Sequence, residues 1–150
     1  MSNQVQQINN YFIVAFIFSL IGGLILLFSD FGWSYNYYYS SGVRTWEYIN
    51  ILSYPPLGVL IIGGTVLCMF FGTYVSFMGF RGSLESVKND YVTYALITLA
   101  VAFAIVVVGA IVFVISVSGS DDWGLDFGFY GSFVGSGVSL LMFYLIKTKK

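Results

Sequence analysis

Residues suited to catalysis or metal binding are scarce in this chain. It has no histidine and a single cysteine, Cys68, so the side chains that usually hold zinc, copper, haem or iron-sulfur clusters are missing. Histidine is also the usual acid-base group near neutral pH. We therefore expect no enzyme activity, no cofactor and no metal site, and a net charge of -1 gives no reason to expect nucleic-acid binding.

The most regular pattern in the chain is a spacing of small residues four positions apart within apolar segments. Such residues share one face of a helix and let two helix backbones approach closely. They are Ala15, Ser19 and Gly23 in one segment, Gly64, Cys68, Gly72 and Ser76 in a second, and Gly131, Gly135 and Ser139 in the last. We expect these faces to pack within a helix bundle, with docking of another protein as the alternative, and Cys68 to be a packing residue.

The elements that carry these faces are four long apolar segments. The chain is 58% hydrophobic and 9% charged, with a mean hydropathy of +0.86, whereas about a quarter of a soluble domain is charged. The segments are residues 11–29, 55–80, 92–117 and 127–146, and none contains Asp, Glu, Lys or Arg. Because about 20 apolar residues cross a bilayer, the sequence predicts an all-α integral membrane protein, a single four-helix domain over residues 1–150.

The distribution of basic residues predicts how this bundle is oriented. An even number of spans places both termini on one side, and Lys and Arg favour the cytoplasmic side. Five of the six basic residues lie in the 81–91 loop or the C-terminal tail, and only Arg44 lies elsewhere. We therefore expect cytoplasmic termini, an inner loop at 81–91, and outer loops at 30–54 and 118–126.

The outer loops are rich in aromatic residues. In YNYYYSSGVRTWEYI, β-favouring residues flank Ser40, Ser41 and Gly42, which predicts a short hairpin. Rigid aromatic side chains suit either a self-packed cap over the bundle, which we favour, or an interface with another protein. The candidate outer contact surface consists of Trp33, Tyr37, Tyr38, Tyr39, Trp46 and Trp123.

The two halves of the chain show weak internal similarity. A shift of 73 residues aligns Gly58 with Gly131 and Gly64 with Gly137, which indicates either a duplicated hairpin or shared membrane composition. The predicted topology resembles that of tetraspan families such as the claudins and the tetraspanins. The resemblance is one of topology alone, because this chain has no cysteine in its outer loops.

These observations favour a non-catalytic integral membrane protein. It would act as an accessory subunit of a larger membrane complex or as a self-associating structural protein of a membrane or envelope. The expected partners are the lipid bilayer and other membrane protein subunits or copies of the chain itself. The alternative is an oligomeric channel or facilitator for a small uncharged solute, because a pore needs no charged residue within the membrane. An enzyme acting on lipid is a third and less favoured hypothesis.

Overall fold

A computed structural model describes residues 3–38, 41–50, 59–82 and 87–149 of the protein. The helices are α1 (Asn3–Phe28), α2 (Gly64–Arg81), α3 (Asn89–Val117) and α4 (Phe127–Lys149). The strands are β1 (Gly32–Tyr38), β2 (Val43–Ile49) and β3 (Asp122–Leu125). A π-helical turn, Val59–Gly63, leads directly into α2.

The four helices form a bundle in which sequence neighbours pack side by side and α4 closes the ring against α1. This is an up-down-up-down arrangement with the chain ends together. The Gln4 side-chain amide donates to the Lys149 carbonyl oxygen at 2.9 Å, and the Lys149 ammonium donates to the Tyr11 hydroxyl at 3.0 Å. Each of the four helices is long and apolar enough to cross a membrane.

The helices extend beyond most limits set by the apolar residues. α1 starts at Asn3 rather than at residue 11, and α4 continues to Lys149 rather than to residue 146. The apolar pattern marks only the part of a helix suited to a bilayer, whereas Gln4 and Lys149 join the helix ends through polar contacts. Residues 51–58, where the second segment was predicted to begin with Pro55, lie outside the described part of the chain.

The small sheet has the order β2-β1-β3, and both pairings are antiparallel. The predicted hairpin is β1 with β2, paired from Gly32 opposite Ile49 to Tyr38 opposite Val43. Its turn includes Gly42, whose φ of +65° is a conformation that glycine adopts without steric cost. The third strand, β3, was not predicted; it pairs with the first half of β1 and lies within the predicted outer loop 118–126.

Buried apolar side chains form two clusters, one towards each end of the bundle. The terminus-end core includes Phe12, Leu99 and Phe143, whose rings and branches fill the space between the helices near the chain ends. The sheet-end core includes Leu26, Phe31, Val66, Val106 and Phe113, so it reaches the first residues of the sheet. The sheet is therefore seated on the bundle through apolar contacts.

Candidate interaction surfaces

The closest helix contact is the seam between α1 and α4, which is built from glycines. A Cβ atom placed on Gly135 would lie 2.7 Å from the Phe18 carbonyl oxygen and 2.8 Å from the Gly22 Cα. A Cβ on Gly22 would lie 2.7 Å from the Gly131 carbonyl oxygen. Backbone meets backbone here, which is the packing that small residues permit within a membrane.

Hydroxyl groups add hydrogen bonds between helices near this seam. Ser139 Oγ on α4 donates to the Ala15 carbonyl oxygen on α1 at 3.1 Å. The hydroxyls of Ser19 on α1 and Thr73 on α2 lie 2.9 Å apart. Ser132, by contrast, donates to the Gly128 carbonyl oxygen of its own helix at 2.7 Å and links no second helix. These bonds satisfy polar groups that packed apolar side chains would leave unpaired.

Other small residues make room for a large side chain on the neighbouring helix. Gly72 on α2 faces the Leu99 side chain of α3, where an added Cβ would lie 3.0 Å from a leucine methyl. Gly23 on α1 faces the Phe70 ring of α2. These contacts differ from the α1–α4 seam because one partner is a flexible side chain.

The remaining residues of the predicted small-residue faces make fewer close contacts with neighbouring helices. Cys68 is half-buried and packs against the terminus-end core. Ser76 is buried, and its Oγ is the one buried side-chain polar atom without a hydrogen bond in the described part of the chain. Among the described residues, no atom beyond its own stretch of helix lies within 4 Å of the Cβ position of Gly64. Most of the predicted faces are thus occupied by other helices of the same chain, with Gly64 the clear exception.

A different surface lies on one side of the β1–β2 hairpin. Alternate residues of a strand point to the same side, and the register places three cross-strand pairs there. These six residues, which we call the aromatic face, are Trp33, Tyr35, Tyr37, Arg44, Trp46 and Tyr48. The ring centroid of Trp46 lies 4.7 Å from that of Tyr35 and 5.6 Å from that of Trp33. The Arg44 guanidinium lies over the Tyr37 ring, 5.9 Å from its centroid.

The aromatic face is open to its surroundings. Trp46 is 55% exposed and Tyr48 is 51% exposed, while the other four members are half-buried or exposed. Aromatic pairs at these centroid distances attract each other beyond the contribution of their buried area. The face is therefore a packed, largely uncharged surface, with the Arg44 guanidinium at the end nearest the hairpin turn.

Contacts with β3 and the bundle fix the position of this hairpin. The indole of Trp33 lies directly over Gly124 of β3, where a Cβ would be 3.0 Å from its Nε1. The carboxylate of Asp121 accepts a hydrogen bond from the Tyr37 backbone N–H at 2.5 Å. At the base of the hairpin, the Phe31 N–H donates to the Ile49 carbonyl oxygen at 2.6 Å. The hairpin is therefore held from its base to beyond its midpoint.

The structure divides the predicted outer contact residues between two sides of the sheet. Trp33, Tyr37 and Trp46 belong to the aromatic face. Tyr38 is 54% exposed on the opposite side, and the rings of Trp123 and Phe113 of α3 form a T-shaped pair with 6.3 Å between centroids. Tyr39 lies outside the described residues. Tyr35 and Tyr48 were missed, although their alternation with Trp33 and Trp46 in the sequence was a usable signal.

Fold and surfaces together define a class of protein: four helices able to cross a membrane, with a three-stranded sheet at one end that presents aromatic side chains. No protein-family model, curated protein or solved structure matches the chain.

Proposed function

We propose that this chain is a non-catalytic integral membrane protein that uses the aromatic face to bind another protein, as an accessory subunit or by self-association. The exposed cluster around Trp46 is the observation that carries this proposal. Tyr, Trp and Arg are the residues most enriched where binding energy concentrates in protein interfaces. All six members of the aromatic face are of these three types.

Membrane insertion is supported by the outward faces of the helices. Large apolar side chains such as Ile17, Leu67, Ile97 and Leu141 are 43% to 70% exposed, and they occur on every helix. A soluble protein rarely exposes a continuous apolar surface of that extent. In a bilayer the same surface meets lipid without cost.

The distribution of charge supports cytoplasmic termini and an outer sheet. Arg81, Lys88, Lys147 and Lys149 lie at the end of the bundle where the chain termini meet. The end with the sheet carries Asp30, Asp121, Asp122 and Asp126. The positive-inside rule places the basic end in the cytoplasm, so the aromatic face would be outside.

The packing inside the bundle argues against a pore through a single copy of the chain. The Met69 side chain is fully buried near the centre, and its terminal methyl lies close to the Cβ positions of both Gly22 and Gly135. A channel would therefore need several copies arranged around a shared axis. We retain the contact role as the proposal.

The contact role is tested by comparing two aromatic residues on opposite sides of one strand pair. We expect Trp46→Ala to lower partner affinity by about 30-fold or more, as for an interface residue of large contribution. Tyr38→Ala removes an equally exposed ring from the opposite side and serves as the matched control. The measurement is the mass and composition of the particle extracted from native membranes under mild conditions.

Trp46 also packs against Trp33 and Tyr35, so Trp46→Phe tests whether a restored ring recovers the particle. An unchanged particle in Trp46→Ala would overturn the contact role. Equal losses in Trp46→Ala and Tyr38→Ala would also contradict it, because the effect would then not depend on the aromatic face.

Orientation is tested independently with single cysteines in a Cys68→Ser background. Ser41 is exposed at the hairpin turn and Thr148 is exposed near the other end of the bundle. We expect a membrane-impermeant thiol reagent to label Ser41→Cys in intact cells and Thr148→Cys only after permeabilisation. The reverse pattern would overturn the proposed sidedness.

A further inference from the structure

An apolar cavity lies between α2 and α3 at the sheet end of the bundle. Its volume is about 310 Å³. Leu26 of α1 forms its back, and Phe31 and Ile49 close it below the sheet. Ile61 of the π-helical turn before α2 and Val112 of α3 form its two borders. Ile61 is 47% exposed and Val112 is 56% exposed, so the cavity opens towards the outward, apolar side of the helices.

The shape of the cavity follows from two local features. Gly109 contributes no side chain to the wall of α3, and its Cβ position is 3.5 Å from the nearest atom of Phe31. The π-helical turn Val59–Gly63 forms part of the opposite wall through Ile61 and Ile62. Such turns are rare and often occur at functional sites.

The polar side chains among the described lining residues have partners inside the chain. The Thr65 hydroxyl donates to the Ile61 carbonyl oxygen at 2.8 Å, and the Ser116 hydroxyl donates to the Val112 carbonyl oxygen at 2.8 Å. The Asn50 side-chain amide donates to the Asp30 carboxylate at 2.8 Å. A polar ligand would therefore find few free groups, whereas a hydrocarbon requires none.

The volume of the cavity decides which kind of apolar group it can hold. An apolar cavity of roughly 150 Å³ holds a six-carbon ring, so this one has volume for about a dozen carbon atoms. A helix, about 10 Å across with its side chains, is too wide to enter it. One acyl segment of that size matches the volume, and the exposed Ile61 and Val112 place the opening on the outward side of the helices, where an acyl chain would lie.

We propose that this cavity binds one acyl chain of a phospholipid from the leaflet on the side of the sheet. The inference rests on the proposed membrane insertion of the chain. The end of the acyl chain would lie against Leu26 and Val106, below the sheet that carries the aromatic face. Leaving the cavity empty would forfeit van der Waals contacts along its whole lining.

The test uses phosphatidylcholine that carries a photoactivatable diazirine in the middle of one acyl chain. The full chain is reconstituted into vesicles of this lipid, illuminated, and digested for mapping by mass spectrometry. We expect residues of the cavity, such as Val106 and Gly109, to be labelled more strongly than outward residues such as Ile17 and Leu141. Equal labelling of the two groups would overturn the proposal.

A matched pair of substitutions tests the cavity itself. Gly109→Leu places a side chain in the cavity and should reduce labelling of its lining to the level of the outward residues. Gly64→Leu adds the same side chain at a position with no neighbour within 4 Å and should leave the labelling unchanged. If Gly109→Leu fails to fold, Val112→Trp at the opening blocks access from a position that is already exposed.

Failure of membrane insertion gives a different result. If alkaline carbonate releases the chain from the vesicles, membrane insertion is wrong and the lipid site is wrong with it. If the chain resists carbonate but Gly109→Leu and Val112→Trp keep full labelling, only the lipid site is wrong.

Discussion

The α1–α4 seam and the α2–α3 seam join neighbouring helices with different residues. On α1 and α4, glycines face each other, so Gly22 and Gly135 bring the two backbones into contact. On α2 and α3, Gly72 faces the branched side chain of Leu99, and the cavity beside Gly109 separates the helices nearer the sheet. Where both helices have small residues, their backbones come into contact. Where only one helix has a small residue, the contact is made by a side chain of the other helix, which can change its conformation.

This difference matters because helices in lipid gain little from burying apolar side chains against each other rather than against lipid. Close backbone contact is a larger source of association there. The α1–α4 seam is therefore the expected centre of stability, and the α2–α3 seam is the proposed place of entry for a lipid acyl chain. Three predictions test this contrast, beginning with the largest expected effect.

The first prediction compares one added methyl group in the two seams. Gly135→Ala should lower the free energy of unfolding by about 2 to 3 kcal/mol, because its Cβ meets backbone atoms that cannot rotate away. Gly72→Ala should change it by less than about 1 kcal/mol, because Leu99 can adjust and alanine favours the helix. Unfolding in mixed micelles titrated with SDS measures both values.

Gly64→Ala is the control for the helix preference of alanine, since nothing lies within 4 Å of its Cβ position. It should cause no loss of stability. Similar losses for Gly135→Ala and Gly72→Ala would show that the two seams contribute alike, and the contrast between them would be wrong.

The second prediction concerns a larger side chain in the α2–α3 seam. Gly109→Leu should change the free energy of unfolding by less than about 1 kcal/mol. The cavity has space for the added carbon atoms, so the substitution avoids the destabilisation caused by inserting atoms into a well-packed core. The same SDS titration measures it. A loss as large as that of Gly135→Ala would mean that the space beside Gly109 closes in the folded protein.

The sequence predicted the four helices because an uninterrupted apolar run is a strong and local signal. It also predicted the β1–β2 hairpin, whose strands are adjacent in the chain and separated by a glycine turn. It did not predict β3, since Asp122–Leu125 contains an acidic residue and a glycine and becomes a strand only by pairing with β1. Pairing between distant segments leaves no local pattern.

The helix contacts were less predictable than the helices. The four-residue spacing selected Gly23, whereas Gly22 is the residue that contacts α4. The spacing missed Gly22 because the residues four positions before and after it, Phe18 and Leu26, are large. Spacing also selected Gly64, which follows the π-helical turn Val59–Gly63 and has no neighbour. Gly64, Cys68, Gly72 and Ser76 all lie in α2, so their spacing gives them a common face but does not show which of them reach a second helix.

The third and smallest prediction separates hydrogen bonding from backbone contact within the α1–α4 seam. Ser139→Ala removes the bond to the Ala15 carbonyl oxygen and should cost about 0.6 kcal/mol, the average for such bonds between membrane helices. Ser132→Ala is the matched control, because this equally buried hydroxyl bonds only to its own helix and its loss should cost less. If Ser139→Ala instead cost as much as Gly135→Ala in the SDS titration, hydrogen bonding would be the main source of stability in this seam, and the close approach of Gly22 and Gly135 would be its consequence.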